Sequence, residues 1–164
     1  MLSLAVERRL AMDAKKACLV YVTPTAAQRP GVREQLEHDG FTVCEVKADL
    51  EDAIAAQAGS DDLPTSLKDC ISGSEVCVFL LPDEASGDGL LAGAAGYADA
   101  SGKSIVCIVS GTRTTYPEVF QDAAESMLRD GSSSLKDALS GGEIWESADK
   151  TKIQKRPMTH VKCQ

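Results

Sequence analysis

Aromatic side chains are scarce. One Trp, three Tyr and three Phe make up 4% of the 164 residues, so a core must rest on Val, Ile, Leu and Ala. Only two histidines occur. His38 falls at the exposed end of a predicted helix and His160 in the tail, and neither has a Ser or Cys partner in an elbow motif, which argues against a hydrolase triad. None of the six cysteines forms a C-x-x-C pair, which removes the zinc-ribbon and thioredoxin signatures. No G-K-[ST] follows Gly87-Asp-Gly89, so there is no P-loop. Apolar runs stay far below the ~18 residues of a membrane helix. Positive charge is in deficit, with 17 Lys and Arg against 25 Asp and Glu, net −8. The chain therefore lacks the basic stripe of a nucleic-acid binder and the polybasic patch of a membrane-surface protein.

What is present is ordinary for one globular domain: 43% hydrophobic and 26% charged residues. The expected organisation is an extension over 1–16, a domain over 17–146 and a basic, polar tail over 147–164. The apolar start over 1–6 is too short for a signal peptide, and Arg8 and Arg9 follow it instead of preceding it. A cytoplasmic, reducing setting is expected. Cys18, Cys44, Cys77 and Cys107 lie in apolar segments and are expected as buried free thiols; Cys163 is expected to be exposed.

Hydrophobic patterning alternates between strand and helix. Strands are predicted over 17–22, 41–46, 75–81 and 104–109, and an edge strand over 143–146. The run over 75–81 is apolar on both faces, as a central parallel strand should be. Helices are predicted over 29–39, 49–58, 65–72, 90–101 and 117–130, with a helical turn or two over 135–139. In 117–130 the apolar stripe is Phe120, Ala123, Ala124, Met127 and Leu128. This alternation predicts an α/β, flavodoxin-like three-layer sandwich whose central parallel sheet has the order 2-1-3-4-5.

In that order the topological switch lies between strands 1 and 3, and ligands bind beyond the carboxyl ends of strands at such a point. Two segments should meet there, the loop from Thr23 and Pro24 to Ala26 and the loop over 82–89. The second carries Asp83, Glu84 and Asp88. Carboxylates there can accept hydrogen bonds from sugar hydroxyls or base amino groups, or act as acid and base; a solvated acidic loop is the competing reading. Arg113 among Thr112, Thr114 and Thr115 can bind an anion or simply cap a helix. Tyr21 and Tyr97 are ligand-stacking or packing residues. No metal site and no cofactor are expected.

The stretch over 71–109 resembles the nucleoside 2-deoxyribosyltransferase-like family of N-glycosidases. The resemblance rests on the strand Val76 to Leu81 followed by Asp83, on Asp88 in the loop, on Ala95-Gly-Tyr-Ala98 in the next helix, and on the Gly102-Lys103 turn. It implies a nucleoside or nucleotide as ligand, with Asp83, Asp88 and position 94 as the catalytic set. Tyr21, Thr23, Pro24, Gly89 and Tyr97 become substrate-binding residues. The family's nucleophilic Glu stands two residues before Gly-Tyr-Ala, where this chain has Ala94. A methyl group cannot attack an anomeric carbon. Ala94 is then an engineered inactivation, the mark of a naturally silent relative, or a role passed to Asp88 or Glu84. On the same resemblance, Ala94→Glu would return a carboxylate to the crevice. Two other classes stay open. One is a TIR-like domain handling NAD or a related nucleotide, for which Glu34 or Glu37 would be the glutamate of an early helix. The other is a non-catalytic interaction subunit. No nucleic-acid or membrane partner is expected, and a homo-oligomer is.

Overall fold

The computed structural model describes residues 15–48, 65–83, 88–111, 117–146 and 152–153, with side chains left aside at 88–90 and 152. The expected helix over 49–58, the loop with Glu84, the Thr112–Thr115 segment with Arg113, His160 and Cys163 lie outside these residues.

The described strands form one sheet of order β2-β1-β3-β4-β5-β6-β7. They are β1 (Lys15–Tyr21), β2 (Phe41–Lys47), β3 (Val76–Leu81), β4 (Ser104–Val109), β5 (Ser126–Arg129), β6 (Trp145–Glu146) and β7 (Lys152–Ile153). Strands β1 to β6 pair in parallel, and β7 adds antiparallel to β6. The expected flavodoxin-like sheet is therefore present, with two strands beyond the expected count at one edge. The helices are α1 (Arg29–His38), α2 (Thr65–Ser72), α3 (Asp88–Ala100), α4 (Glu118–Ala123) and α5 (Leu135–Leu139). No described helix is long and apolar enough to cross a membrane.

Strand side chains alternate between two cores. On one face Cys18, Val20, Cys77, Phe79, Leu81 and Cys107 pack under α2, α3 and α4. On the other Ala17, Leu19, Val78, Leu80 and Ile108 pack under α1 and α5. Every residue of β3 is buried, as its unbroken apolar run requires. Pro30 suits the first turn of α1, where no N–H partner is needed. Gly40 follows that helix at φ +96°, a conformation open to Gly at little cost. Arg29 and Arg33 on α1 both reach Glu45 of β2, at 2.8 and 3.1 Å, tying the helix to the strand beside it.

Two sequence expectations fail at the far edge. The helix expected over 117–130 ends at Ala123, and Ala124 is extended. Residues 126–129 instead form β5 and pair with Val106 to Val109 of β4. Met127 enters one core and Leu128 the other. Adjacent residues buried on opposite faces belong to a strand between two helix layers, not to a one-sided helix stripe. The edge strand expected over 143–146 is correspondingly not an edge. Trp145 pairs with Met127 on one side and with Ile153 on the other.

The cysteines depart from expectation too. Cys77 and Cys107 are buried free thiols, as expected. Cys44 is free but exposed, and Cys18 is joined to Cys70 of α2 as a disulfide. The departure has a simple cause: Cys18 points into the α2-facing core, and α2 lays Cys70 directly over it, a pairing between residues 52 apart that no local pattern signals.

Candidate functional site

At the carboxyl edge the loop after β1 is held by bonds within itself and by one to the loop after β4. After β1 the chain enters a 3₁₀ turn, Thr23–Thr25, with Pro24 inside it. Thr25 is fully buried. Its hydroxyl donates to the Val22 carbonyl and accepts the Val22 N–H, both at 3.0 Å. Thr23 and Pro24 face solvent. Beyond the turn, the Gln28 side chain donates to the Ser110 hydroxyl at 3.3 Å. That bond joins the loop after β1 to the loop after β4, across the end of β3. Asp83, exposed at the end of β3, lies against Gly111. A Cβ at position 111 would displace the Asp83 carboxylate, the movable end of an exposed side chain, and it is φ, at +68°, that calls for Gly there.

Next to this crest a cleft of about 410 Å³ opens between α1 and the loop after β5. Gln28, Gly31, Gln35, Leu128, Asp130 and Ser132 are among its lining residues. Its volume is within the usual range for small-molecule sites. The Gln28 side-chain oxygen is buried and meets no hydrogen-bond donor among the described residues. Buried polar atoms are nearly always paired, so such an acceptor marks a place for an incoming donor.

The far wall is braced from below. Glu146, 4% exposed, accepts the Arg129 main-chain N–H and the Ser132 hydroxyl, each at 2.8 Å. The buried Arg129 N–H needs the carboxylate, since a buried donor without an acceptor is costly, whereas the half-buried Ser132 hydroxyl can turn to water. Glu146→Ala is expected to lower stability by about 2–3 kcal/mol, most of it the ~1.5–3 kcal/mol of the one buried bond to a charged group, with Glu146→Gln losing less. Urea denaturation of the three proteins checks this.

The expected site residues divide. Thr23, Pro24, Tyr21 and Asp83 all stand at the carboxyl edge. Tyr21 is half-buried on the α1 side, with the Arg29 guanidinium 5.4 Å from its ring centroid. Asp88 and Gly89 open α3 at the same edge. Ala94 and Tyr97 are not brought to the cleft. Both lie on α3, on the opposite face of the sheet from α1 and α5. Ala94 is 0% exposed and packed into the core. Tyr97 opens the last turn of α3, and its hydroxyl bonds that of Ser72 at 2.9 Å, at the end of α2 that leads into β3. The helix runs back along the sheet from the carboxyl edge, so its later residues move away from the crest by ~1.5 Å each. Glu34 and Glu37 stand on the solvent side of α1, where Glu37 pairs with Arg33.

Sequence reading missed Gln28, Gln35, Asp130 and Ser132. The last two were legible in principle: Asp130-Gly-Ser-Ser is a polar, Gly-containing loop, and it falls after a strand once 126–129 is read as one. Among the described residues no group of three or more His, Cys, Asp or Glu side chains is placed to hold a metal ion. Comparison with protein-family models, with curated proteins and with solved structures gives no match.

Proposed function

We propose that this chain is a nucleoside-binding domain that takes its ligand at the carboxyl edge of the sheet and performs no glycosyl transfer. The observation that carries the reading is the buried side-chain oxygen of Gln28, which meets no donor among the described residues, at a cleft of about 410 Å³ beside the switch point. A base amino group or a sugar hydroxyl supplies the donor that this oxygen lacks. The amide of Gln35 offers a further donor and acceptor, and Asp130 offers a carboxylate for a pair of sugar hydroxyls. The absence of a carboxylate at position 94, and the burial of Ala94 in the core, support a binding role over a catalytic one.

Calorimetry with a panel of nucleosides, nucleoside monophosphates and NAD tests this. At least one nucleoside should bind, and Gln28→Leu should weaken it about fivefold, the worth of ~1 kcal/mol for one neutral hydrogen bond. Chromatography of the same mixtures should recover the ligands intact. No heat at millimolar nucleoside would discard the reading in favour of an interaction subunit. Steady release of free base would discard its non-catalytic half.

A further inference from the structure

Three cysteines stand side by side on one face of the sheet. Cys18 of β1 is in register with Cys44 of β2 and with Cys77 of β3. Strand neighbours in register are ~4.8 Å apart. Cys44 shares the face of Cys18, because Val43, next to it, packs into the opposite core while Val46 packs into this one. Above them, α2 brings down Cys70. Its Cα is 5.5 Å from that of Cys18, and the two are bonded as a disulfide. The Cys70 sulfur also lies 3.1 Å from the main-chain oxygen of Cys44. A reduced Cys70 thiol donates a hydrogen bond to that oxygen. One backbone arrangement thus serves both redox forms: the oxidised pair bonds Cys70 to Cys18, and the reduced pair satisfies the Cys70 thiol on Cys44.

Access is unequal. Cys18 and Cys70 are 0% and 4% exposed. Cys44 sits on β2, the outermost of the described strands on this side, and is exposed. Cys77 is the other neighbour in register, but burial pushes its thiol up to about 12. Like Cys18 and Cys70 it is buried, and so it is closed to a disulfide arriving from solvent.

We propose that Cys44 is the access thiol of a redox relay: small-molecule disulfides react at Cys44, and exchange passes the oxidation inward to the Cys18–Cys70 pair. In the reduced protein, the Cys44 thiolate attacks one sulfur of a disulfide RSSR. A Cys44–SR bond forms, the S–S bond of RSSR breaks, and RS⁻ leaves and takes up a proton. The Cys70 thiolate then attacks the Cys44 sulfur and expels the second RS⁻, which is also protonated. Finally the Cys18 thiolate attacks the Cys70 sulfur, closes the Cys18–Cys70 bond and releases Cys44 as a thiolate. The protons come from the Cys18 and Cys70 thiols. Two electrons pass from these two thiols to RSSR, giving two RSH, and Cys44 ends as it began. The finished bond clamps α2 to β1, the strand that runs into the Thr23–Thr25 turn.

The test uses the full chain, reduced with dithiothreitol, desalted and exposed to oxidised glutathione. Samples are acid-quenched, blocked with N-ethylmaleimide and peptide-mapped by mass spectrometry. In the wild type a glutathione adduct at Cys44 should rise first and decay as Cys18–Cys70 forms. Cys44→Ser should slow formation of that bond by at least about tenfold, since exchange depends on access of the attacking thiol. In Cys70→Ser the adduct at Cys44 should persist, because the thiol that resolves it is gone. Equal rates in wild type and Cys44→Ser, failure of Cys18–Cys70 to form, or direct adducts at Cys18 or Cys70 ahead of Cys44 would each overturn the relay. The order of appearance in the wild type decides the matter even if a variant does not fold.

Discussion

Phe79→Ala is expected to lower the free energy of unfolding by about 3–5 kcal/mol, the usual cost of removing a buried aromatic ring. Phe79 is fully buried at the middle of the central strand. Its ring meets that of Phe120 edge-on, with centroids 5.4 Å apart and planes at 71°. Such pairs add ~0.5–1.5 kcal/mol beyond area burial. Phe79→Leu should recover a good part of the loss by keeping most of the volume. Denaturant midpoints of wild type, Phe79→Ala and Phe79→Leu check the order; equal midpoints would show that this face of the sheet is loosely packed.

Ala94→Glu is expected to destabilise the fold by about 3 kcal/mol or more, and to confer no N-glycosidase activity. Residue 94 is 0% exposed, beside Leu91, Ala95 and Ala98 in the layer between α3 and the sheet. A carboxylate there has no cation or donor among its core neighbours. It must stay protonated or force water into the core, and both are costly. For a chain of this size the loss corresponds to a melting point lower by ~10 °C. Calorimetric melting and a nucleoside-cleavage assay on the same sample read both halves. A variant that melts like wild type and releases base would restore the reading in which position 94 faces a reaction centre. Ala94→Ser is the companion change: it is small, it can bond back to its own helix, and its loss should be much smaller.

The parts of the chain read correctly from sequence are those where a short segment carries its own reason. Val76 to Leu81 is apolar without alternation, so it had to be a strand covered on both faces. Val32 and Leu36 stand four apart between a Pro and a Gly, and α1 appears with those two residues buried. The carboxyl-edge position of Thr23, Pro24 and Asp83 followed from strand order alone. The misreadings are of another kind. Phe120, Ala123, Ala124, Met127 and Leu128 fit a helix period, and nothing local distinguishes that stripe from a short helix followed by a buried strand. The open edge of β4 supplies the difference, because its N–H and C=O groups need a partner that residues 126–129 can provide. Gln28 and Gln35 carry no local mark of a cleft; they come to line one only when α1 and the β5 loop come together.

Layer architecture, the central strands and the edge at which the loops after β1 and β3 emerge were thus legible in the residue pattern. These depend on period, apolar runs and the handedness of crossovers, all of which act over a few tens of residues. Only the closed layers settle that 126–129 pairs as a strand, which side of α3 Ala94 faces, and that Cys18 meets Cys70. Those outcomes rest on contacts between segments distant in sequence, such as Cys18 with Cys70, 52 residues apart. Their stability comes from burial and pairing that exist only once the layers have closed.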